Sequence, residues 1–274
     1  MNLTITVMIT PDITYYFCCH KDIDLTYINK YVDNIDDNRI NIICNEDNNI
    51  ITKYNIIKEP YNDLQCFYGE NSRMIYIYKL YKEGKIKLSD YISFNQYGLF
   101  FNFYMYDRMC GLLKYNDALV HGQYFNNIYN SYNSLHNGED LLEIVNYICE
   151  KYNVNKYYKE YFLYDANYPG HYNIFILKKN IFIKYIEFII DISDYYKRKH
   201  NINTQNDLRK YISNNANKYY NENKLNWYWG VDNQMRLFGF ISERIFGLFL
   251  TINKINYSTF PYIDIQYLSK INRN

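Results

Sequence analysis

Short apolar runs alternate along this chain with longer segments whose apolar residues recur every three or four positions, and this alternation constrains the fold most. The runs at 13–19 (ITYYFCC) and 38–44 (NRINIIC) have the length and the β-branched or aromatic content of buried strands. The segments at 70–82 and 180–196 have the periodicity of amphipathic helices. Strands that alternate with helices build an α/β fold, so we expect a mixed sheet flanked by helices.

The rest of the chain continues this alternation. Residues 200–226 are polar and rich in Asn, which predicts a loop or a loose helix. No internal repeat or strong linker interrupts the sequence, so we expect a single domain over residues 1–274. The further elements are predicted as a strand that begins within 90–104, a helix from Gly138 to about Tyr152, a strand at 171–179 and a strand at Tyr262 to Tyr267.

The charge of the chain is nearly balanced, with 30 Lys and Arg against 29 Asp and Glu. Without a long basic run, this balance weighs against a protein that binds nucleic acid by neutralising phosphates. No apolar run reaches the roughly 18 residues of a membrane span. The N-terminal segment MNLTITVMITPD lacks the basic start and apolar block of a signal peptide. We therefore expect a cytoplasmic protein; its oligomeric state is left open.

Tyrosine is unusually abundant, with 36 residues, and Asn, Ile and Lys are frequent as well. A surface that stacks on sugar rings is one explanation. AT-rich codons explain more of the composition, because they encode all four residue types. The composition therefore indicates an AT-rich genome, such as that of a large DNA virus, for which the host cytoplasm is the expected location.

Six cysteines occur, and none forms a CxxC pair, so a structural zinc site is not expected. Cys18 and Cys19 lie in an apolar run, which predicts buried thiols. One DxD motif, Asp22-Ile23-Asp24, could share a divalent ion with a diphosphate. The same acids also suit a helix N-terminus, and credible acidic pairs are scarce elsewhere, so we lean towards a site without metal.

Several motifs that would identify an enzyme class are absent. The sequence contains no Walker A loop, no GxGxxG, no GxSxG and no HExxH. The common phosphate-cradling loops, serine hydrolases and zincins are therefore not indicated.

The stretch 234–250, QMRLFGFISERIFGLFL, combines an apolar tail at helical spacing with a charged front. A helix that begins near Gly239 or Ser242 would bring its positive end and two guanidinium groups to one point, which suits a diphosphate. A carboxylate held among apolar neighbours could act as a general base with a raised pKa. The alternative is an Arg–Glu pair that only braces the helix start. The charged residues are Arg236, Glu243 and Arg244.

A second informative stretch is HNGEDLLEI, 136–144, in which His136 precedes a helix that has Glu139 and Asp140 at its start. A helix-capping arrangement alone would explain why both acidic residues occur at this position. The functional alternative places a histidine and an acid at the rim of a cleft, in contact with an acceptor hydroxyl.

Five blocks along the chain carry a family resemblance. They are Cys19-His20-Lys21 after the first strand; Glu70 with Tyr76 to Lys79; Asp90-Tyr91-Ile92 through Phe101; Gln123-Tyr124 with His136 to Asp140; and Tyr172 to Ile176 followed by Arg236 and Gly239 to Arg244. In this order they resemble the bacterial capsular-polysaccharide-type glycosyltransferase family, long catalogued only as a domain of unknown function. The last block is similar to that family's Asn-Met-Phe-Ile and Arg-Val-Phe-Gly-Phe-x-x-Glu-Arg segments and is the most specific of the five.

The resemblance implies a GT-A-like fold and transfer of a sugar from a nucleotide-sugar donor, with a UDP-sugar expected, to a glycan or polysaccharide acceptor. Glu243, or else Asp232, would deprotonate the acceptor hydroxyl, and Arg236 would offset the charge of the leaving diphosphate. The full set of expected site residues is His136, Glu243 and Asp232 for catalysis, His20, Lys21, Glu70, Gln96, Tyr97, Asn173, Arg236 and Arg244 for the donor, and Gln123 and Asp140 for the acceptor.

One block departs from the family pattern. Residues 96–101 read Gln-Tyr-Gly-Leu-Phe-Phe where the family has His-Tyr-Arg-Arg-Tyr-Phe, so two guanidinium groups are missing. Such groups bind a diphosphate through charge-assisted hydrogen bonds, and their loss would weaken donor binding. Arg73, Arg108 or a metal ion could compensate. Without compensation, the chain would be an inactive relative that serves as a carbohydrate-binding or scaffold protein.

Overall fold

The computed structural model describes residues 10–121, 124–165, 167–169, 172–219 and 230–265. Its strands are β1 (Ile13–Cys18), β2 (Ile23–Asp24), β3 (Ile40–Asn45), β4 (Ile50–Ile51), β5 (Asn55–Glu59), β6 (Tyr91–Gln96), β7 (Leu99–Phe101), β8 (Ala118–His121), β9 (Tyr124–Asn126), β10 (Asn167–Pro169), β11 (Phe175–Lys178), β12 (Tyr257–Phe260) and β13 (Tyr262–Asp264).

The helices fill the connections between these strands. They are α1 (Gln65–Tyr68), α2 (Asn71–Lys82), α3 (Tyr106–Leu113), α4 (Ile128–Asn133), α5 (Gly138–Lys151), α6 (Lys156–Glu160), α7 (Lys179–His200), α8 (Gln205–Asn214), α9 (Ala216–Tyr219), α10 (Val231–Gln234) and α11 (Leu237–Ile252). Short 3-10 helices lie at Thr26–Tyr31, Asp37–Arg39 and Phe103–Met105, and a π-helical turn lies at Tyr161–Asp165. No helix in these described ranges is both long and apolar enough to cross a membrane.

The central sheet has the strand order β12-β8-β11-β6-β1-β3-β5, and β7 extends it from β6 and pairs with β13. Strand β11 runs antiparallel to β6 and β8, whereas the other neighbours in this order are parallel. The predicted mixed sheet is therefore confirmed. The C-terminal ends of β1, β3 and β6 meet at one edge, and the segment that enters β11 lies at the same edge.

Two apolar cores cover the two faces of this sheet. Along β1, Tyr16 and Cys18 contribute to one core, and Tyr15 and Phe17 to the other, because successive side chains of a strand point to opposite faces. Helices α2, α5, α7 and α11 pack on the first face, and α3 on the second. The described cysteines are all free, and both Cys18 and Cys19 are buried, as their apolar surroundings predicted.

The structure also corrects some sequence-based boundaries. Within 200–226, where a loop or a loose helix was predicted, Gln205–Asn214 and Ala216–Tyr219 form the helices α8 and α9, and residues 220–226 lie outside the described ranges. Thr204 and Asp207 form a capping box at the start of α8, a local signal that the polar composition obscured. Strand β11 begins only at Phe175, because Tyr172 and Asn173 have φ angles of 64° and 53°, which a strand cannot contain. Of the strand predicted at Tyr262 to Tyr267, Tyr262–Asp264 is observed, and residues 266 and 267 lie outside the described ranges.

Candidate functional site

A cavity of about 430 Å³ opens at the edge of the sheet where β1 and β6 end. Ligands of open α/β sheets bind in crevices at this edge. The first turns of α11 form one wall, and the β6–β7 turn forms another. The lining residues are His20, Glu70, Gln96, Tyr97, Gly98, Leu99, Leu135, His136, Tyr172, Arg236, Phe240, Glu243, Arg244 and Asp264. We call this space the first cavity.

Two glycines bring α11 against the corner between α1 and α2. A Cβ added to Gly239 would stand 3.2 Å from the carbonyl oxygen of Tyr68 and 3.4 Å from the Cα of Gly69. Gly69 also has a φ of +56°, a conformation that side chains with a Cβ rarely adopt. This close backbone contact places Glu70, the next residue, beside Arg236 at the start of α11.

Glu70 and Arg236 form the more exposed of two ion pairs in the first cavity. Arg236 Nη2 donates to Glu70 Oε1 at 2.6 Å, with side chains that are 36% and 9% exposed. Burial alone would raise the pKa of the Glu70 carboxyl. The charges of Arg236, Arg73 and His20, together with the backbone N–H of Glu70, bring that pKa below its ordinary value. Glu70 is therefore a fixed anion at the cavity wall.

Glu243 and Arg244 form the second ion pair, and both side chains are buried. Arg244 Nη1 donates to Glu243 Oε2 at 2.7 Å and to the carbonyl oxygen of Phe240 at 3.2 Å. Burial raises the pKa of Glu243 to about 7; Arg244 and Arg236 lower it, whereas Glu70 raises it further. At neutral pH this carboxyl can therefore accept or release a proton. The sequence predicted such a raised pKa from the apolar neighbours of Glu243.

His136 is held in place on the far wall of the first cavity. Its Nδ1 lies 2.9 Å from Gln234 Oε1, and Gln234 Nε2 donates to the carbonyl oxygen of Leu135 at 2.9 Å. The imidazole stacks on Phe240, with ring centroids 4.3 Å apart. The histidine before α5 therefore reaches the cavity, while the neighbouring Asn137 caps that helix by accepting from the Glu139 N–H.

An aromatic rim surrounds Tyr97 at the end of β6. The rings of His20 and Tyr97 meet edge to face at 5.2 Å, and Lys21 Nζ stands 5.2 Å from the centroid of the Tyr97 ring. Gln96 Nε2 donates to the carbonyl oxygen of Tyr172 at 2.8 Å, which links β6 to the segment before β11. His20, Gln96 and Tyr97 line the cavity, whereas Lys21 reaches it only through its contact with Tyr97.

Asn173 lies behind the first cavity rather than on its wall. Its Nδ2 donates to Ser242 Oγ at 3.4 Å, and its Oδ1 accepts from the hydroxyl of Tyr185 at 3.4 Å. Ser242 also accepts a hydrogen bond from Asn71 at 2.6 Å. The structure therefore gives Asn173 contacts that fix the position of α11, and only an indirect contact with the site.

Two further predicted residues are not brought into the first cavity, and a third lies outside the described residues. Asp140 is buried and accepts hydrogen bonds from the hydroxyls of Tyr196 and Tyr211 at 2.8 Å and 2.9 Å. Asp232 is 80% exposed and pairs with Arg209 at 2.5 Å. Gln123, expected at the acceptor, lies outside the described residues.

Other lining residues were missed by sequence reasoning. Phe240 belongs to the charged-front stretch, where only the charges are singled out from the sequence. Gln234 of the same stretch contacts His136 but does not line the cavity. Tyr172 belongs to the block Tyr172 to Ile176 that carries the family resemblance, but the sequence did not predict its positive φ angle. Asp264 lines the cavity because β13 pairs with β7, and this long-range pairing leaves no local sequence signal.

A second cavity of about 460 Å³ adjoins the first. The two cavities share His20, Glu70 and Arg236, so the Glu70–Arg236 ion pair stands at their boundary. Asn45 at the end of β3, Arg73 on α2 and Asp232 on α10 line the second cavity but not the first.

The DxD motif does not reach either cavity. Asp22 Oδ1 accepts from the backbone N–H of Asn49 and Asp24 Oδ1 from that of Thr26, each at 2.8 Å. Within the described part of the chain, no cluster of three or more His, Cys, Asp or Glu side chains has the arrangement of a metal site.

No family model matches the chain, and no curated protein matches it. Among solved structures, the chain is similar to the apo structure of WbbM, a bifunctional glycosyltransferase, with a TM-score of 0.53 and 19% sequence identity. The similarity covers 91% of this chain and 45% of that one, so this chain spans less than half the length of WbbM. Similarity at this identity concerns the fold, and it confirms the predicted GT-A-like architecture.

Proposed function

We propose that this chain is a glycosyltransferase that moves a sugar from a nucleotide-sugar donor, with a UDP-sugar expected, to a hydroxyl of a glycan acceptor. The observation that carries the proposal is Glu243, a buried carboxyl with a pKa of about 7 on the wall of a cavity at the C-terminal edge of the sheet. The similarity in fold to a glycosyltransferase supports it.

Glu243 has the properties of a general base for the acceptor. A general base works best when its pKa lies near the working pH, because it is then largely ionised and still holds a proton well. In the proposed reaction, Glu243 takes the proton of the acceptor hydroxyl. The acceptor oxygen then bonds to the anomeric carbon of the donor sugar, as the bond from that carbon to the phosphate oxygen breaks. Asp232 is a weaker candidate because its carboxylate is solvent-exposed and paired with Arg209.

Arg236 has the properties of the group that stabilises the leaving diphosphate. Its guanidinium lines both cavities and is 36% exposed, so a ligand can reach it while Glu70 remains on its other side. Preorganised positive charge at a departing phosphate lowers the barrier to bond breaking. Arg244 is committed to Glu243, and its part in this proposal is to keep that carboxyl in place.

The remaining walls suit a sugar ring. Gln234 fixes the orientation of His136 on the cavity wall, and Phe240 and Tyr97 contribute aromatic rings to the same cavity. Sites of this type combine aromatic surfaces with a few placed polar groups.

The test is thermal unfolding of the purified protein against a panel of nucleotide sugars and free nucleotides, with and without Mn²⁺, followed by a transfer assay with glycan acceptors. A ligand at 100 times its dissociation constant adds about 2.7 kcal/mol to the free energy of unfolding. The proposal predicts a selective shift with one nucleotide sugar and release of its nucleoside diphosphate when an acceptor is added. Failure of every nucleotide sugar to stabilise the protein would contradict it.

A second candidate function is a non-catalytic carbohydrate-binding or scaffold protein on the same fold. Gly98 and Leu99 favour it, because they line the first cavity where the family pattern has two arginines. It predicts stabilisation by glycans alone and no turnover of any nucleotide sugar. Detectable sugar transfer would exclude this candidate.

A further inference from the structure

The first cavity has little positive charge left for a diphosphate. Arg236 is paired with Glu70 and Arg244 with Glu243, while Asp264 adds a further acid to the wall. The β6–β7 turn contributes no cation at Gly98 and Leu99. A nucleoside diphosphate carries several negative charges, so a proposed donor needs a cation that the first cavity does not supply.

Arg73 is a buried cation with incomplete partners. It lies on α2 with only 4% of its surface exposed, and its Nη2 donates to Asn45 Oδ1 at 2.6 Å. Its Nε has no hydrogen-bond partner among the described residues, and no carboxylate in those ranges forms an ion pair with it. Burial raises the pKa of Glu59 and would raise that of Glu70, and in both carboxyls the charge of Arg73 acts the other way, so the two carboxylates compensate the guanidinium in part. The Nε of Arg73 still has no hydrogen-bond partner, which a phosphate oxygen could supply.

Arg73 lines the second cavity, on the side of the Glu70–Arg236 pair that faces away from Glu243. Its charge lowers the pKa of Glu70, which shows that its field reaches the boundary between the two cavities. Arg73 and Arg236 therefore present two guanidinium groups to one polar space of about 460 Å³. Three carboxylates also line this space: Glu70 pairs with Arg236, Asp232 pairs with Arg209, and the third is Asp63. Arginine is well suited to phosphate oxygens because its planar fork can donate two hydrogen bonds at once.

Resting on the proposed function, we propose that Arg73, together with Arg236, binds the diphosphate of the donor in the second cavity. Arg73 thereby supplies the positive charge that is missing at residues 98 and 99. The reacting sugar then lies in the first cavity, and the donor crosses the boundary between the two cavities beside the Glu70–Arg236 pair. Arg108, the other arginine considered from the sequence, is exposed on α3 and lines neither cavity.

The experiment is titration calorimetry of the full chain with the nucleoside diphosphate that most stabilises it, chosen from UDP, GDP, ADP, CDP and dTDP, and with the matching nucleoside. Arg73→Gln and Arg73→Lys are compared with the wild type, and Arg108→Gln is the matched control. Loss of a charge-assisted hydrogen bond should weaken diphosphate binding about 10- to 100-fold in Arg73→Gln. The diphosphate affinity of Arg73→Lys should lie between those of the wild type and Arg73→Gln. The affinity for the nucleoside should be the same in all of these proteins.

A second variant guards against failure of Arg73→Gln to fold. Asn45→Asp puts a carboxylate next to the Arg73 guanidinium and neutralises it without removing the side chain. This variant should also bind the diphosphate more weakly and bind the nucleoside with unchanged affinity. Unchanged diphosphate affinity in these variants, or an equal loss for the nucleoside, would overturn the role of Arg73 and leave the proposed function intact. Absence of any diphosphate binding by the wild type would overturn both.

Discussion

The two Arg–Glu pairs of the first cavity have the same chemistry and opposite protonation behaviour. Burial penalises both carboxylates, yet the pKa of Glu70 is lowered and that of Glu243 is raised to about 7. The difference lies in the neighbours. Glu70 is surrounded by Arg236, Arg73, His20 and a backbone N–H, whereas Glu243 has Arg244 at close range, the negative charge of Glu70 against it and a smaller contribution from Arg236.

This difference assigns the two pairs different tasks. A carboxylate with several positive neighbours stays ionised and holds its partner in position, so Glu70 orients Arg236 at the boundary of the two cavities. A carboxyl that titrates near neutral pH can exchange a proton with a substrate. The pair that resembles a structural ion pair more closely, because both members are buried, is therefore the one we assign to catalysis.

The largest expected effect follows from removing the proton acceptor. Glu243→Gln keeps the size of the side chain and a hydrogen-bond acceptor for Arg244, but it cannot take a proton. General base catalysis contributes about 10²- to 10⁴-fold to a rate, so kcat for sugar transfer should fall by that factor. Steady-state kinetics with the donor identified by thermal unfolding measure it, and full activity in this variant would remove Glu243 from the mechanism.

Two further readouts separate proton transfer from a general loss of structure. Glu187→Gln changes an exposed residue of α7 that accepts a hydrogen bond from Tyr78, and it should leave kcat unchanged. In the wild type, kcat/KM should rise with pH to a plateau above about 7, because only the ionised Glu243 can act as a base. The residual activity of Glu243→Gln should lack this step.

The second prediction compares the stability contributions of the two pairs. Arg244→Met leaves Glu243 buried without its cation, and breaking such a pair costs about 3–5 kcal/mol of unfolding free energy. Arg236→Met should cost less, about 1–2 kcal/mol, because that guanidinium is partly exposed and Arg73 still compensates Glu70. Urea unfolding with unchanged m-values measures both.

The control for this comparison replaces the whole buried pair. Glu243→Leu combined with Arg244→Met removes both charges, and apolar replacements of a buried pair are often neutral or stabilising. The double variant should therefore recover most of the stability lost in Arg244→Met. Equal losses in Arg244→Met and Arg236→Met would mean that the two pairs do not differ as the structure indicates.

The sequence predicted the layers of the fold better than the geometry of the site. Local patterns were sufficient to predict β1, α2 and α5, because apolar periodicity and capping residues act over a few positions. They also singled out Arg236, Glu243 and His136, which line the first cavity; their catalytic roles remain a prediction. Asp264 required the tertiary structure, since the pairing of β13 with β7 sets its position. Arg73 and Arg108 were both candidates from the sequence, and only the tertiary structure shows that Arg73 lines the second cavity. The same holds for Asp140, whose two tyrosine partners are far away in sequence.

The last prediction uses pH to distinguish the two carboxyls. Native Glu243 keeps its proton up to about pH 7, whereas an unfolded glutamate releases it near about pH 4.3. The native state therefore binds more protons in this window, so the contribution of Glu243 to stability decreases as pH rises through it. Between pH 5 and 8 the decrease should be about 2–3 kcal/mol.

The contribution of Glu70 to stability has the opposite dependence on pH and a different pH window. It is constant above the unfolded pKa and is lost only as pH falls below it. Subtracting the pH profile of Glu243→Gln from that of the wild type isolates the first contribution, and a flat difference would place the pKa of Glu243 at its ordinary value and weaken its assignment as the base.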